Sequence, residues 1–265
     1  MKTRVLASAC LVVWIVSSCF TAAPRARQAA TSGVAGIWVG HERQIEEHLR
    51  AAEVTSVEEI GTGVTRPRRA YVKPDEPFGS LVWKVLPPGR RGGYWESYKS
   101  EIAAYELDKL LEMRMVPPAV ERSIRGETGA AILWLEGVAS VKEKGGQVPT
   151  GAVWGKAIRK MQMFDNLIAN RDRNAGNILI GQPGALILID HSRAFATDKE
   201  IQKFERVDAD LWDRMKQLTR EDLNGALGRW LDDDAIDAII ERRNRMAALI
   251  DELVARKRAV LVLIR

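Results

Sequence analysis

The segment from Asp172 to Asp190 constrains this chain more than any other. Ahead of it, Lys156 to Asn170 has helical spacing, with Ala157, Met161, Phe164 and Ile168 on one face. A polar turn follows. Two short apolar runs come next, Asn177 to Ile180 and Ala185 to Ile189, separated by Gly181-Gln-Pro-Gly184. Runs of that length around a Gly-Pro turn predict an antiparallel hairpin. With the turn at its centre, Ile180 faces Ala185, Asn177 faces Leu188, and Asp190 falls opposite residue 175. Asp172, Asn177 and Asp190 then converge at one end of the hairpin. Two carboxylates gathered there repel, and a divalent cation with oxygen ligands relieves the repulsion. Magnesium keeps few protein ligands and takes the rest from water and phosphates, so an Asp and an Asn suffice. The competing reading is a polar helix-to-strand turn with incidental acids, which the ordered helix, hairpin and closing Asp disfavour.

The spacing is more specific than the composition. Asn177 follows Asp172 by five residues, and Asp190 follows Asn177 by thirteen. In protein kinases a catalytic Asp, a metal-binding Asn and a metal-binding Asp stand in that order and at those distances. In that pattern Asp172 accepts or orients the proton of a substrate hydroxyl. Asn177 and Asp190 hold the metal ions that bridge the phosphates. Asp165 and Asn170 are expected to brace the loop, Arg173 to pair with a carboxylate, and His191 to be structural.

The rest of the chain has two characters. Glu42 to Ala52 reads as a short amphipathic helix. After it come β-type runs at Val57 to Ile60, Ala70 to Lys73 and Leu81 to Leu86, then a Pro-Gly loop from Pro87 to Gly93. Glu101 to Met113 reads as a helix closed by Pro117-Pro118. A hairpin follows at Val120 to Ile124 and Ala130 to Leu135. Past the catalytic hairpin the pattern is helical: Val207 to Gln217, Arg220 to Trp230 with Thr219 as N-cap, and Asp233 to Arg256. The expected fold is α+β and two-lobed. A β-rich part with one helix gives way to a mainly helical part near Glu136 to Ala139.

Phe164-Asp-Asn-Leu-Ile-Ala-Asn-Arg-Asp-Arg-Asn-Ala-Gly-Asn-Ile-Leu179 resembles the catalytic loop of atypical kinases, including phosphatidylinositol 3-/4-kinase-like catalytic domains. Glu101-Ile-Ala-Ala-Tyr-Glu-Leu-Asp-Lys-Leu-Leu111 with Val116-Pro-Pro118 is similar to the helix and Pro-Pro turn of the secretory-pathway kinases, the Golgi casein kinase and four-jointed family. The resemblance spans roughly Val54 to Phe195 and implies a protein-kinase-like fold. It also implies ATP with Mg2+ or Mn2+ as cofactors. Carried over by position, Lys84 would contact the α/β-phosphates, and Glu101 would pair that lysine or assist the metal, with Glu96 in reserve. Gly61 and Gly63 would form the phosphate-covering turn. Glu136 and Gly137 would bind adenine through the backbone of the lobe-connecting hinge. Asn174 stands where these families commonly have His, Asp190-His-Ser replaces Asp-Phe-Gly, and no disulfide is available. Those departures leave the acceptor class open.

The N-terminus points to export. Lys2 and Arg4 precede an apolar run, Val5 to Val16, too short for a comfortable membrane span. Val16-Ser-Ser-Cys19 resembles a bacterial lipobox, in which Cys19 would be lipidated; the alternative is a plain leader cut near Ala23. Residues 1–19 are thus the leader, 20–41 a tether, 42–136 the N-lobe and 137–265 the C-lobe. Both cysteines, Cys10 and Cys19, lie in the leader, which excludes a disulfide, a thiol nucleophile or a cysteine zinc site in the domain. Only three histidines occur, which argues against a His-rich metal site. The net charge of +5 has no basic stripe interleaved with aromatics, which argues against nucleic acid. The sequence thus predicts a kinase, periplasmic or membrane-anchored, that transfers phosphate to a hydroxyl on a protein, sugar or lipid head group. Its alternatives are a non-catalytic nucleotide-binding scaffold or a nucleotidyl transferase on the same fold.

Overall fold

The computed structural model describes residues 38–61, 66–74, 76–181 and 185–265. The chain divides into two units, Met1–Ala30 and Thr31–Arg265, and every described residue belongs to the second. The expected leader with Cys19, Gly63, and residues 182–184 lie outside the described residues.

Helix α1 (Glu42–Ala51) is followed by β1 (Val54–Glu59), β2 (Arg68–Val72) and β3 (Ser80–Lys84). A small hairpin, β4 (Gly89–Arg91) and β5 (Tyr94–Glu96), occupies what the sequence suggested was only a loop. Then come α2 (Tyr98–Leu110), β6 (Ala119–Ile124) and β7 (Glu127–Leu133). Strands β1 to β3 with β6 and β7 form one antiparallel sheet in the order β1-β2-β3-β7-β6. Strand alternation sorts its two faces. Leu81 and Trp83 of β3, with Ala131 and Leu133 of β7, join Ile45 and Leu49 of α1 in one cluster. Ala130 and Ile132 of β7 join Ile102 and Leu107 of α2 in the other. Each such leucine, fully buried, contributes about 2 kcal/mol.

The C-terminal half contains β8 (Ala139–Ser140), α3 (Ala152–Leu167), β9 (Ile178–Ile180), β10 (Leu186–Leu188), β11 (Val207–Asp208), α4 (Ala209–Gln217), α5 (Arg220–Leu227), α6 (Asp233–Arg256), α7 (Ala259–Val262) and β12 (Leu263–Ile264). Thr219 caps α5 in a capping box with Asp222. The purely helical expectation after the catalytic hairpin needs one correction. The apolar end of the chain returns as β12 and pairs in parallel with β11. Two-residue strands carry too little periodicity to be read from sequence. The cluster around α2 continues without a break into Phe164 of α3, Leu211 of α4 and Met246 of α6. The helix that carries Glu101 is therefore packed into the same core as the catalytic loop.

The catalytic hairpin forms, but its register differs by one residue from the symmetric expectation. Ile180 pairs with Leu186, Leu179 with Ile187, and Ile178 with Leu188. The Gly181 N–H donates to the Ala185 carbonyl at 3.0 Å, so Gly181 continues the ladder. The slip brings Ile189 to Asn177, whose carbonyl accepts the Ile189 N–H at 3.2 Å. Asp190 therefore still lies beside the end of the hairpin that holds Asn177.

Candidate active site

Lys84 ends β3, the central strand of the five-stranded sheet, rather than an edge. It is 5% exposed. Its position alternates with Leu81 and Trp83 toward the face covered by α2. The neighbouring strand makes room there: a Cβ on Gly129 would stand 2.2 Å from the Lys84 carbonyl. Helix α2 begins three residues earlier than its sequence pattern suggested. Ser97 caps it by accepting the Lys99 N–H at 3.0 Å. Glu101 thus sits in the first turn and is buried.

Lys84 Nζ lies 2.6 Å from Glu101 Oε1 and 2.7 Å from Asp190 Oδ1. Burial alone would lower the Lys84 pKa. The two carboxylates outweigh it and hold the ammonium above its ordinary range. Burial alone would likewise raise Glu101, but the Lys84 charge and contacts with His191 hold it well below the usual carboxylate range. The His191 N–H donates to Glu101 Oε2 at 3.0 Å. Asp190 makes this contact from a left-handed backbone, φ 60°, a conformation that Asp tolerates better than most residues.

The catalytic loop is braced as the sequence suggested. Asn170 Nδ2 donates to Asp165 Oδ1 at 2.9 Å, and Arg173 grips the same carboxylate through Nε and Nη2. Arg173 Nη1 also donates to the carbonyls of Asn177 and Ile189, each at 2.8 Å, which ties the loop to both hairpin strands. Arg173 Nη2 donates to His191 Nε2 at 2.9 Å. His191 is buried, and burial together with Arg173 lowers its pKa, so the ring is neutral with its proton on Nδ1. It serves as a structural link, as expected.

Asn177 Nδ2 donates to the Asp172 carbonyl at 3.1 Å, which orients the amide and leaves Oδ1 free to ligate. Asp190 Oδ1 is held by Lys84 and by Ser192 Oγ at 3.0 Å, leaving Oδ2. Among the described residues no cluster of three or more His, Cys, Asp or Glu side chains could hold a metal. One carboxylate and one amide oxygen nevertheless fit a magnesium-type ion that completes its shell from phosphates and water.

The structure also brings in a residue that sequence reasoning passed over. Arg193 Nη1 donates to Asp172 Oδ2 at 3.2 Å, and its Nε donates to Glu96 Oε1 at 3.0 Å. Glu96 therefore pairs with Arg193 rather than Lys84. Nothing in the local sequence around Arg193 marked it. Asp172 and Arg193 open onto a cavity of about 960 Å³ shared by Tyr94, Lys99, Arg171 and Trp230. Lys84 and Asp190 do not line this space.

The remaining expected residues are set by the sheet. Glu59 pairs with Arg68, and Arg68 with Trp83, so Gly61 lies beyond β1 at the same sheet end as Lys84. Its φ of 72° requires a glycine-like backbone. Glu136 and Gly137 lie in the crossing from β7 to β8. Arg69 bonds Glu136 at 2.5 Å and lies 4.0 Å over the Trp134 ring. The basic run Arg66 to Arg69 is thereby largely neutralised, since Arg68 bonds Glu127.

No family model matches the sequence, and no curated protein matches it. Solved structures do match. A hydra Fam20 structure with sugar superposes with a TM-score of 0.68 at 16% identity, covering 85% of this chain and 93% of that one. A Golgi casein kinase with Mn/ADP bound gives 0.61 at 14% identity, covering 85% and 79%. The Helicobacter pylori proinflammatory kinase CtkA gives 0.51 at 11% identity, covering 78% and 96%. The chain therefore has a protein-kinase-like fold. Within it the chain resembles the secretory-pathway kinases.

Proposed function

We propose that this protein is an exported ATP- and metal-dependent phosphotransferase that acts on a hydroxyl acceptor. The observation that carries the reading is the buried contact of Lys84 with Glu101 and Asp190. Charged groups this strongly perturbed by burial and by one another cluster at functional sites. Lys84, steered by Glu101, would grip the α/β-phosphates. Asn177 Oδ1 and Asp190 Oδ2 would hold Mg2+ or Mn2+, which when bound neutralises charge on the phosphates. Asp172 would receive or orient the acceptor hydroxyl, which enters through the cavity beside it. A protein, sugar or lipid head group all satisfy this chemistry. The sugar bound by the hydra Fam20 structure and the Mn/ADP bound by the Golgi casein kinase favour the same reading.

Purified protein should show a thermal upshift with ATP plus Mg2+ or Mn2+. Asp172→Ala should keep that shift and lose phosphate transfer. A variant that still transfers phosphate refutes Asp172 as the base. Mass spectrometry of the products separates phosphorylation from nucleotidylation and from inactivity. Export rests on the leader, and palmitate labelling that persists in Cys19→Ser would refute the lipobox.

A further inference from the structure

Arg193 follows Asp190 by three residues. It is gripped from one side and gripping on the other. Glu96, 5% exposed on β5, accepts from its Nε, and Nη2 also lies 3.0 Å from Glu96 Oε1. Its guanidinium stacks over the Tyr94 ring at 4.5 Å. The strand end that carries Glu96 is fixed in turn, because the Ser97 N–H donates to the Ser192 carbonyl at 2.9 Å. Ser100 Oγ adds a bond to the Ala194 carbonyl.

Asp172 has the opposite character. Its side chain is 46% exposed. Its carbonyl is held by the amides of Asn174 and Asn177. Arg193 is the hydrogen-bond partner of its carboxylate among the described residues. The backbone of the base is therefore fixed by the loop, while its rotamer depends on Arg193.

We propose that Arg193 is the positioning residue of the base. It holds Asp172 Oδ2 and leaves Oδ1 for the acceptor hydroxyl. This rests on the phosphotransferase reading. The planar fork of an arginine spans two carboxylates at once, which the point charge of a lysine does not. Because Glu96 stands directly before α2, the same bridge makes the setting of Asp172 depend on docking of the helix that carries Glu101.

The test uses the full chain with Arg193→Gln and Arg193→Lys. Three quantities are read: Mn–ADP affinity, ATP turnover with water as acceptor, and the Asp172 carboxyl carbon resonance at neutral pH. Arg193→Gln should leave Mn–ADP affinity unchanged and lower kcat by about tenfold or more, with KM for ATP little altered. It should also move the Asp172 carboxyl resonance, because the hydrogen bond from Nη1 is lost. Arg193→Lys should recover little of the turnover, because an ammonium does not span both carboxylates. An unchanged kcat, an unmoved Asp172 resonance, or Mn–ADP binding lost in step with turnover would overturn the proposal. Absence of turnover in the unmutated protein sinks the phosphotransferase reading instead, and the resonance still decides whether Arg193 holds Asp172.

Discussion

Lys84→Met isolates the electrostatics of the site from its packing, because the replacement keeps the apolar stem. It leaves Glu101, 3% exposed, facing the half-buried Asp190 without the cation that lies 2.6 and 2.7 Å from them. Breaking a buried pair by removing one partner costs about 3–5 kcal/mol. Solvent at Asp190 and the N–H of His191 soften this, so about 3 kcal/mol is expected at neutral pH. In a unit of this size that lowers Tm by roughly 6–12 °C. The pH dependence is the sharper signature. In the unmutated protein Glu101 is held below its ordinary value of 4.5, so its contribution is present above that value and lost only as pH falls beneath it. Lys84 is held above its ordinary 10.5, so its contribution is complete below that value and lost at higher pH. Neither changes between pH 7 and pH 5. In Lys84→Met burial and Asp190 push Glu101 above its unfolded value, so folding takes up a proton. The variant then recovers stability on acidification, by at most about 1.4 kcal/mol per pH unit. Urea unfolding at both pH values, with chelator present, measures the gap between the two proteins. A gap that does not narrow toward pH 5 would refute the reasoning.

Three further outcomes follow from other contacts. Gly129→Ala places a methyl against the Lys84 carbonyl and should cost about 1–3 kcal/mol while weakening the ATP–metal upshift; an unchanged denaturation midpoint would contradict the close approach. Asp190→Asn should abolish the Mn–ADP thermal shift yet lower apo Tm less than Lys84→Met, since Glu101 keeps its lysine. Arg242 is buried, with its pKa drawn down to about 10 by burial, and donates to the carbonyls of Leu167, Ala196 and Asp198. Arg242→Leu strands those acceptors and should cost about 2–3 kcal/mol by urea titration, without altering the nucleotide response.

The expected catalytic loop was legible because its hydrogen bonds are local. Asp165, Asn170, Arg173 and Asn177 bond within a few residues of one another, and the spacing alone implied as much. The hairpin register was legible only to within one residue. A glycine beside the turn can either join the ladder or leave it, and the sequence is symmetric about that choice. Lys84 carried an apolar-strand context in the sequence, but its central place in the sheet depends on β7 inserting between β3 and β6. Likewise β11 and β12 pair across some 55 residues, and no local pattern encodes so distant a two-residue ladder.

The sequence by itself determined the order and identity of the groups between Asp172 and Asp190, because side-chain type and a period-two strand set which of them meet. Tertiary structure alone decided the electrostatic state of the site. The Lys84–Glu101–Asp190 contact joins a strand, a helix and a loop drawn from three parts of the chain. Burial there strengthens the attraction between those charges and makes any one of them costly alone. The Arg193 bridge from Glu96 to Asp172 has the same origin. Its partners lie far apart along the chain, and only the docking of α2 onto the catalytic half brings them within hydrogen-bond reach.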